Sequence, residues 1–228
     1  MPAHRFLPDI NTRFAFIAVI LTLVLASTSV MARDRPGKFD YYALTLSWSP
    51  SFCASPAGRN ARQQCGAGRR FAFVVHGLWP QFWRGWPQHC RQRAPYLSNR
   101  LIRSLYDIMP SKRLIIHEWK KHGTCSGLQA PDYFNLARSL FAQIKIPARY
   151  LSPNRPILTT PQILVEDFVK TNRMLNRNMI SVHCGNSTRR ARLSEIRICF
   201  SRKGQLIKCG RNEVRQCRAR QLVLPPVR

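Results

Sequence analysis

The feature that most constrains the fold of this chain is its set of eight cysteines, all of which follow residue 52. An even number of cysteines in an exported protein indicates disulfide bonds, although spacing alone leaves roughly a hundred possible pairings. The competing use is a structural zinc site, which the absence of any C-x-x-C pair disfavours. The cysteines are Cys53, Cys65, Cys90, Cys125, Cys184, Cys199, Cys209 and Cys217. The sequence therefore predicts four disulfides.

The first 32 residues have the pattern of a secretory signal peptide. Arg5 and Arg13 precede an apolar run, Phe14–Ala26, and small residues then lead to Ala32. A basic start, a short apolar stretch and a terminal small residue are typical of a cleaved signal. The alternative is an uncleaved membrane anchor, but the run is shorter than the about 20 residues that cross a bilayer. We expect cleavage near Ala32, a secreted or periplasmic location without membrane contact, and a single monomeric domain over 33–228.

The charge of the chain is strongly positive. Lysine and arginine total 37 against 10 acidic residues, a formal charge of +27. Such a surface attracts polyanions, namely nucleic acid, anionic lipid or acidic polysaccharide. The alternative is a basic exported protein with no polyanionic partner. Arg189, Arg190 and Arg192 are interpreted as a solvated basic loop rather than as an extension of a phosphate-binding surface.

Hydrophobic periodicity predicts strands at both ends of the domain. Apolar residues alternate with less apolar ones over 41–48, which is typical of a half-buried strand, whereas 71–76 (FAFVVH) is continuously apolar and predicts a central strand. Residues 179–183 predict another strand, and 196–200 alternate along a further one. A turn at Gly204 would form a hairpin that places Cys199 opposite Cys209.

Three segments between these strands predict helices. Each starts at a capping residue or a proline and carries apolar residues at helical spacing. They run from Ser98 to Pro110, from Pro131 to Pro147, and from Thr160 through Phe168. Strands followed by helices and then strands indicate an α+β fold with a mainly antiparallel central sheet flanked by helices.

The first segment whose residues could take part in catalysis is HGLWPQ, residues 76–81, directly after the predicted central strand. A histidine at the end of a strand, followed by Gly77 and Pro80, is expected on a rigid edge that faces a cleft. Trp79 is interpreted mainly as packing within that cleft.

The second segment is HEWKKHGTC, residues 117–125. At about 100° per residue on a helix, His117, Glu118, Lys121 and His122 share one broad face, and Trp119 points away from it. Lys121 lies beside His117, and Glu118 beside His122, at a spacing of four residues. A carboxylate next to a histidine orients the ring and supports its protonated form, and a lysine there can stabilise a phosphate.

The second segment is close to the zinc-protease pattern H-E-x-x-H, but its second histidine comes one residue later. It lies about 140° from His117 rather than about 40°, so that chelation by both rings is awkward. We therefore expect no metal and no cofactor. A second alternative is that these residues are ordinary polar groups on a solvated helix. An exported cationic polyanion-binding protein without catalytic activity also stays open.

The two segments closely resemble the active-site signatures of the ribonuclease T2 family of exported acid-type ribonucleases. The similarity extends to residues 41–53 (YYALTLSWSPSFC) and to the cysteine distribution, and it covers most of the chain after residue 32. It implies an α+β endoribonuclease that cleaves single-stranded RNA without a metal and with low base specificity. The expected products are 2′,3′-cyclic phosphates and then 3′-phosphates.

Carried over by position, the resemblance makes His76, Glu118 and His122 catalytic and places His117 and Lys121 at the phosphate. RNA cleavage needs a base for the 2′-OH proton and an acid for the leaving 5′-oxygen. We assign His122, aided by Glu118, as the base and His76 as the acid. Their roles exchange when the cyclic product is hydrolysed.

The resemblance also implies four disulfides: Cys53–Cys65, Cys90–Cys125, Cys184–Cys217 and Cys199–Cys209. Gln81, Phe82, Trp83 and Trp86 follow the first motif and are expected to contact bases, in part by aromatic stacking. The alternative for these residues is core or loop packing. Some family members have an acidic residue in place of Gln81, so no base preference is carried over.

Overall fold

The computed structural model describes residues 34–214 and 217–227, and the predicted signal peptide, residues 1–32, lies outside them. The strands in this part are β1 (Tyr41–Trp48), β2 (Phe73–Gln81), β3 (Ile157–Thr159), β4 (Ile180–Cys184), β5 (Arg190–Ser201) and β6 (Gln221–Leu224). Its α-helices are α1 (Ser49–Cys53), α2 (Arg62–Cys65), α3 (Asn99–Arg103), α4 (Lys112–Lys121), α5 (Ala130–Ala142) and α6 (Pro161–Thr171).

The strands form one sheet in the order β2-β1-β5-β6-β3, and β4 also pairs with β5. Every pairing is antiparallel apart from the short parallel contact between β5 and β6. The helices pack on this sheet through large side chains such as Trp119, Phe134 and Phe168, which join the strands in one hydrophobic core. The predicted α+β fold with a mainly antiparallel sheet is confirmed.

The prediction that β1 is half-buried is wrong, because both of its faces are covered. Tyr42, Leu44 and Leu46 belong to the main core beneath the helices. On the opposite face, Tyr41 and Ala43 pack against the Cys199–Cys209 disulfide in a second small cluster. Alternation along the strand identified the more apolar face but carried no information about the distant segment that covers the other one.

The second predicted strand also differs from its expectation. Among the described residues, β2 pairs with β1 alone, so it is an edge strand of the sheet rather than a central one. It continues through Gly77 and Pro80 to Gln81 instead of ending at His76. Its apolar residues are buried by helical segments rather than by a second strand, and the Val75 N–H donates to the Ile108 carbonyl at 2.9 Å. A continuous apolar run predicts burial on both faces without specifying what provides it.

The three predicted helices are present, and side-chain capping explains where two of them begin. The side chains of Ser98 and Thr160 accept hydrogen bonds from Leu101 N–H and Ile163 N–H at the starts of α3 and α6. The helix α3 ends at Arg103 rather than near Pro110, although Leu105 and Ile108 beyond it are buried as expected. The helix of the second motif, α4, is capped in the same way by Ser111.

Four disulfides cross-link the domain with the pairings that the resemblance implies: Cys53–Cys65, Cys90–Cys125, Cys184–Cys217 and Cys199–Cys209. The predicted turn at Gly204 is present, with a φ of 78° that suits glycine. The described segment that follows this turn forms a single β-bridge between Phe200 and Leu206 rather than a full strand. Within the described ranges, no helix is both long and apolar enough to cross a membrane.

Candidate active site

A β-bulge in β2 positions His76. Thr45 of β1 pairs with Gly77 and Leu46 pairs with Val75, so that His76 is the extra residue between two regular pairs. A bulge redirects a side chain and is common beside active sites. The imidazole projects from the sheet with 33% of its side chain exposed. The predicted strand end at Gly77 is therefore corrected to a bulge within a longer strand.

The residue after the bulge must be glycine because two site groups approach its backbone. A Cβ atom on Gly77 would collide with the Glu118 carboxylate and with the indole nitrogen of Trp79. The glycine of the first motif therefore lets the second motif pack directly against β2.

The helix α4 presents the second motif to β2. Trp119 points into the core, where it contacts Tyr133 and Phe134, as the helical spacing predicted. Glu118 is buried on the side that faces β2, whereas His117 is exposed. The helix gives way at His122 to a short 3-10 turn, Gly123–Cys125, and the Cys90–Cys125 disulfide ties that turn to the loop after β2.

The carboxylate of Glu118 faces His76 and Trp79 rather than His122. Its Oε2 accepts a 2.6 Å hydrogen bond from Trp79 Nε1, and its Oε1 lies 3.5 Å from His76 Nε2. The expected pairing with His122 is not formed: His122 is the residue at which α4 ends, and its ring stacks on Trp79 instead. Burial raises the pKa of the Glu118 carboxyl, and His76 and the Trp79 hydrogen bond oppose that rise.

Trp79 contacts both His76 and His122, so it has a more central position in the site than the cleft packing that the sequence predicted for it. Its ring stacks on the His122 imidazole with centroids 4.8 Å apart and planes at 22°. The His76 ring meets it edge-on at 5.2 Å. The guanidinium carbon of Arg197 lies 4.6 Å from the indole centroid. The first motif thus supplies both a histidine and the aromatic surface that holds the other one.

Two site residues escaped the sequence analysis, Glu195 and Arg197 of β5. His76 Nδ1 lies 3.1 Å from Glu195 Oε2, and Arg197 donates to Glu195 Oε1 at 2.6 and 2.9 Å. Arg197 also donates to Glu213 at 3.1 Å. The available signal was their alternation with Ile196 and Ile198, which puts an acidic and a basic residue on the face opposite the core.

These contacts set the protonation of His76. Burial disfavours the charged imidazole, but the Glu195 hydrogen bond and the charges of Glu118 and Glu195 outweigh it, and the pKa of His76 is raised. Burial alone would raise the pKa of Glu195, yet the hydrogen bond and charge of His76, together with Arg197, hold it at about 2. Both shifts describe one ion pair between a protonated imidazole and an ionised carboxylate.

His122 has the opposite environment. Burial, assisted by the charge of Lys121, lowers its pKa to about 2. Its Nδ1 atom is buried and has no hydrogen-bond partner among the described residues. The site therefore combines a histidine whose pKa is raised and a histidine whose pKa is lowered around one tryptophan, which is an arrangement suited to paired acid and base work.

His117 and Lys121 lie at the margin of this cluster. His117 lines a cleft of about 630 Å³ that shares Phe52, Ser111 and Leu114 with the cleft containing His76. Burial and the charge of Lys121 lower the pKa of His117. The charge of Lys121 thus acts on both His117 and His122.

The candidate base-binding residues are not grouped around His76. Gln81 is buried and accepts a 3.2 Å hydrogen bond from Asn212, at a point about 16 Å along β2 from His76. Phe82 packs partly against the core. Trp83 and Trp86 are about half exposed, and Trp83 stacks on Tyr41 at 5.2 Å.

No three histidine, cysteine or acidic side chains within the described ranges are grouped so that they could hold a metal ion. Lys121, Arg197 and His76 are cationic groups of the site, and Arg197 and His76 are paired there with carboxylates.

Comparison with known proteins identifies the family. Residues 39–209, which include both histidine motifs, match the Ribonuclease T2 family. The chain belongs to the ribonuclease T2 family. A ribonuclease of Aeromonas hydrophila is 39% identical over 194 residues, which cover 82% of this chain and 85% of that protein. A probable ribonuclease of Haemophilus influenzae is 32% identical over 197 residues, which cover 79% of this chain and 66% of that protein.

Solved structures share the T2 fold at lower identity. Trichomaglin, described as an S-like ribonuclease, has a TM-score of 0.65 at 19% identity and covers 84% of this chain and 100% of its own. A point mutant of RNase MC1, crystallised with 5′-UMP, has a TM-score of 0.62 at 21% identity and covers 81% of this chain and 97% of its own. The sequence-based identification of a T2-type endoribonuclease is confirmed.

Proposed function

We propose that this T2 enzyme is exported and cleaves single-stranded RNA by metal-independent transphosphorylation. A 2′,3′-cyclic phosphate forms first and is hydrolysed to a 3′-phosphate. The observation that carries the proposal is the pair of histidines against Trp79, one held protonated by two carboxylates and the other held neutral.

His76 is the acid in this proposal. Its ion pair with Glu195 keeps a proton on the ring, and its Nε2 can pass that proton to the leaving 5′-oxygen. Glu118 supports the same charge from 3.5 Å while it holds Trp79 in place. Glu118 therefore acts on the acid rather than on the base with which the sequence associated it.

His122 is the base. A neutral imidazole can accept the 2′-OH proton without first losing one of its own. A bound phosphate would also bring negative charge near the ring and raise its pKa toward the working range. Lys121 and His117 are proposed to contact the phosphate and to stabilise the crowded transition state.

The substrate follows from charge and access. Removing residues 1–32 takes away Arg5, Arg13 and Asp9 and leaves about +26, which attracts RNA through its phosphates. The exposed rings of Trp83 and Trp86 are proposed to stack on bases away from the cut, a contact that tolerates any base. We propose a monomer in an oxidising compartment, which the four disulfides favour.

The direct test is cleavage of total RNA by the purified protein, with and without EDTA. Cleavage is expected at equal rates in both, because the cations of the site are protein side chains. Early products should carry 2′,3′-cyclic phosphates that mature to 3′-phosphates. Loss of cleavage with EDTA and recovery with zinc or magnesium would contradict the proposal. RNA binding without cleavage would indicate the cationic binding protein instead.

Glu195→Gln should move the alkaline limb of the pH–rate profile to lower pH. Glu195 raises the pKa of His76 above 6.5, so removing its charge makes the acid lose its proton earlier as the pH rises. The rate well below pH 6.5 should change much less.

The ion pair between His76 and Glu195 should stabilise the fold most between the ordinary pKa values of 4.5 and 6.5. Its contribution should decrease as pH falls toward 2 or rises through the raised pKa of His76.

Glu166→Gln is the matched control for this test, because it removes a carboxylate paired with Arg177 outside the site. Its pH–rate profile should coincide with that of the wild type. If the alkaline limb of Glu195→Gln also coincides with the wild type, Glu195 does not set the proton affinity of the acid.

A further inference from the structure

We propose that a cleft beside the His76 site, bounded by Gln64, Arg69, Arg192 and Pro225, binds backbone phosphates of single-stranded RNA beyond the linkage that is cut. We call it the Arg192 cleft. The proposal rests on the proposed function and extends it from one scissile linkage to a longer substrate.

The Arg192 cleft is continuous with the site. The His76 cleft, of about 420 Å³, shares Gln64 and Arg192 with the Arg192 cleft, of about 490 Å³. On its other side it shares walls with the His117 cleft. Because neighbouring clefts share lining residues, we infer that an RNA chain bound at His76 can extend into the Arg192 cleft.

The arginines of this cleft are available to a ligand. Arg69 and Arg192 are exposed, and within the described residues neither forms an ion pair with a carboxylate. Arg138, Arg149 and Arg197, in contrast, are neutralised by acidic partners. A guanidinium without a carboxylate can bind a phosphate through two parallel hydrogen bonds.

The backbone places Arg192 correctly for this role. The sequence suggested a solvated loop at residues 189–192, but Arg190 and Arg192 lie on β5. Arg192 precedes Glu195, the partner of His76, by about 10 Å along the strand. Arg190 is tied to Gln221 by a 2.6 Å hydrogen bond, which leaves Arg192 as the residue that reaches both clefts.

The opposite wall is held in place before any ligand arrives. The Cys53–Cys65 disulfide closes the loop that carries Gln64 and leads to Arg69. Gln64 is buried, and its Nε2 donates to the Ser49 hydroxyl at 3.1 Å. A preformed wall lowers the ordering cost of binding.

The expected ligand is the phosphate backbone of RNA already held at His76. Contacts to phosphate carry no sequence information, which agrees with low base specificity. Two exposed arginines bind a free phosphate weakly, whereas a phosphate tethered to a bound chain has a high effective concentration. The cleft should therefore affect long substrates far more than short ones.

The test compares Arg69→Ala/Arg192→Ala with the wild type on a dinucleoside phosphate and on a long single-stranded RNA. For the long RNA, kcat/KM should fall by about 2- to 30-fold more than for the dinucleotide, the range for two exposed ion pairs. The salt dependence of binding to uncleavable 2′-O-methyl RNA should become shallower by about 1.4 in logarithmic slope. Arg69→Lys/Arg192→Lys should keep most of that slope.

The matched control is Arg103→Ala/Arg173→Ala, which removes two exposed arginines that line none of the three clefts. It should behave as the wild type on both substrates. The proposal would be overturned if kcat/KM of Arg69→Ala/Arg192→Ala fell by the same factor on both substrates. It would also be overturned if kcat/KM on long RNA fell by the same factor in both double alanine variants. If the wild type cleaves neither substrate, the proposed function fails. The salt dependence of binding to the 2′-O-methyl RNA then tests the cleft proposal by itself.

Discussion

An RNA that contains one 2′-deoxynucleotide is expected to resist cleavage at that linkage and to be cut at all others. In the proposed mechanism, His122 as base and His76 as acid act on one phosphate, which suits attack by the neighbouring 2′-OH. That nucleophile is already positioned at the phosphorus, so little entropy is lost on the way to the transition state. Without the 2′-OH, the first step has no nucleophile at the proposed geometry, and cleavage at that linkage should be essentially abolished.

The measurement is the product ladder of an end-labelled RNA with the single substitution, against an all-ribose RNA of the same sequence. DNA of that sequence should bind, because binding is largely electrostatic, and should remain intact. Cleavage of the deoxy linkage at a comparable rate, or products with 5′-phosphate ends, would show that water is the first nucleophile and would contradict the transphosphorylation proposal.

His122→Ala and His76→Ala are each expected to lower kcat/KM by about 10²- to 10⁴-fold, the usual contribution of a positioned proton-transfer group. The His122 side chain is buried, whereas a third of the His76 side chain is exposed. His76 stands at a bulge, and His122 ends a helix whose turn is fixed by the Cys90–Cys125 disulfide. The circular dichroism of both variants should stay close to that of the wild type, and the thermal unfolding midpoint should fall more for His122→Ala, which removes a buried ring, than for His76→Ala.

His89→Asn is the matched control, because His89 is an exposed histidine in the loop after the first motif. Its backbone has a φ of 51°, which asparagine tolerates better than alanine. This variant should retain nearly full activity. A folded His76→Ala or His122→Ala variant with a rate near that of the control would remove that histidine from the chemistry.

The sequence by itself determined the local features of this protein. Ser98, Ser111 and Thr160 start helices because a side-chain oxygen can accept from a backbone N–H three residues later, within one turn. The spacing of the second motif placed Trp119 toward the core for the same reason, since the geometry of one helix fixes it. Two long motifs in the expected order also sufficed to indicate the family.

Predictions from the sequence were wrong where the segment that covers a strand, or the strand beside it, comes from a distant part of the chain. β1 is buried on both faces, although its pattern is that of a half-buried strand, because the segment around Cys209 folds over Tyr41. β2 lies at an edge, although its pattern is that of a central strand. Residue patterns report how apolar each face of a strand is and identify neither the segment that covers a face nor the neighbouring strand.

Only the tertiary structure decided the connections of the site. Glu118 was expected beside His122 from helix spacing, but it faces His76, because the helix ends at His122 and Gly77 lets the carboxylate approach β2. Glu195 lies 119 residues from His76 and became its partner only through the pairing of β1 with both β2 and β5. Helix caps and side-chain periodicity follow from residues a few positions apart, whereas the charge on a histidine depends on whichever groups the folded chain brings within a few ångströms of it.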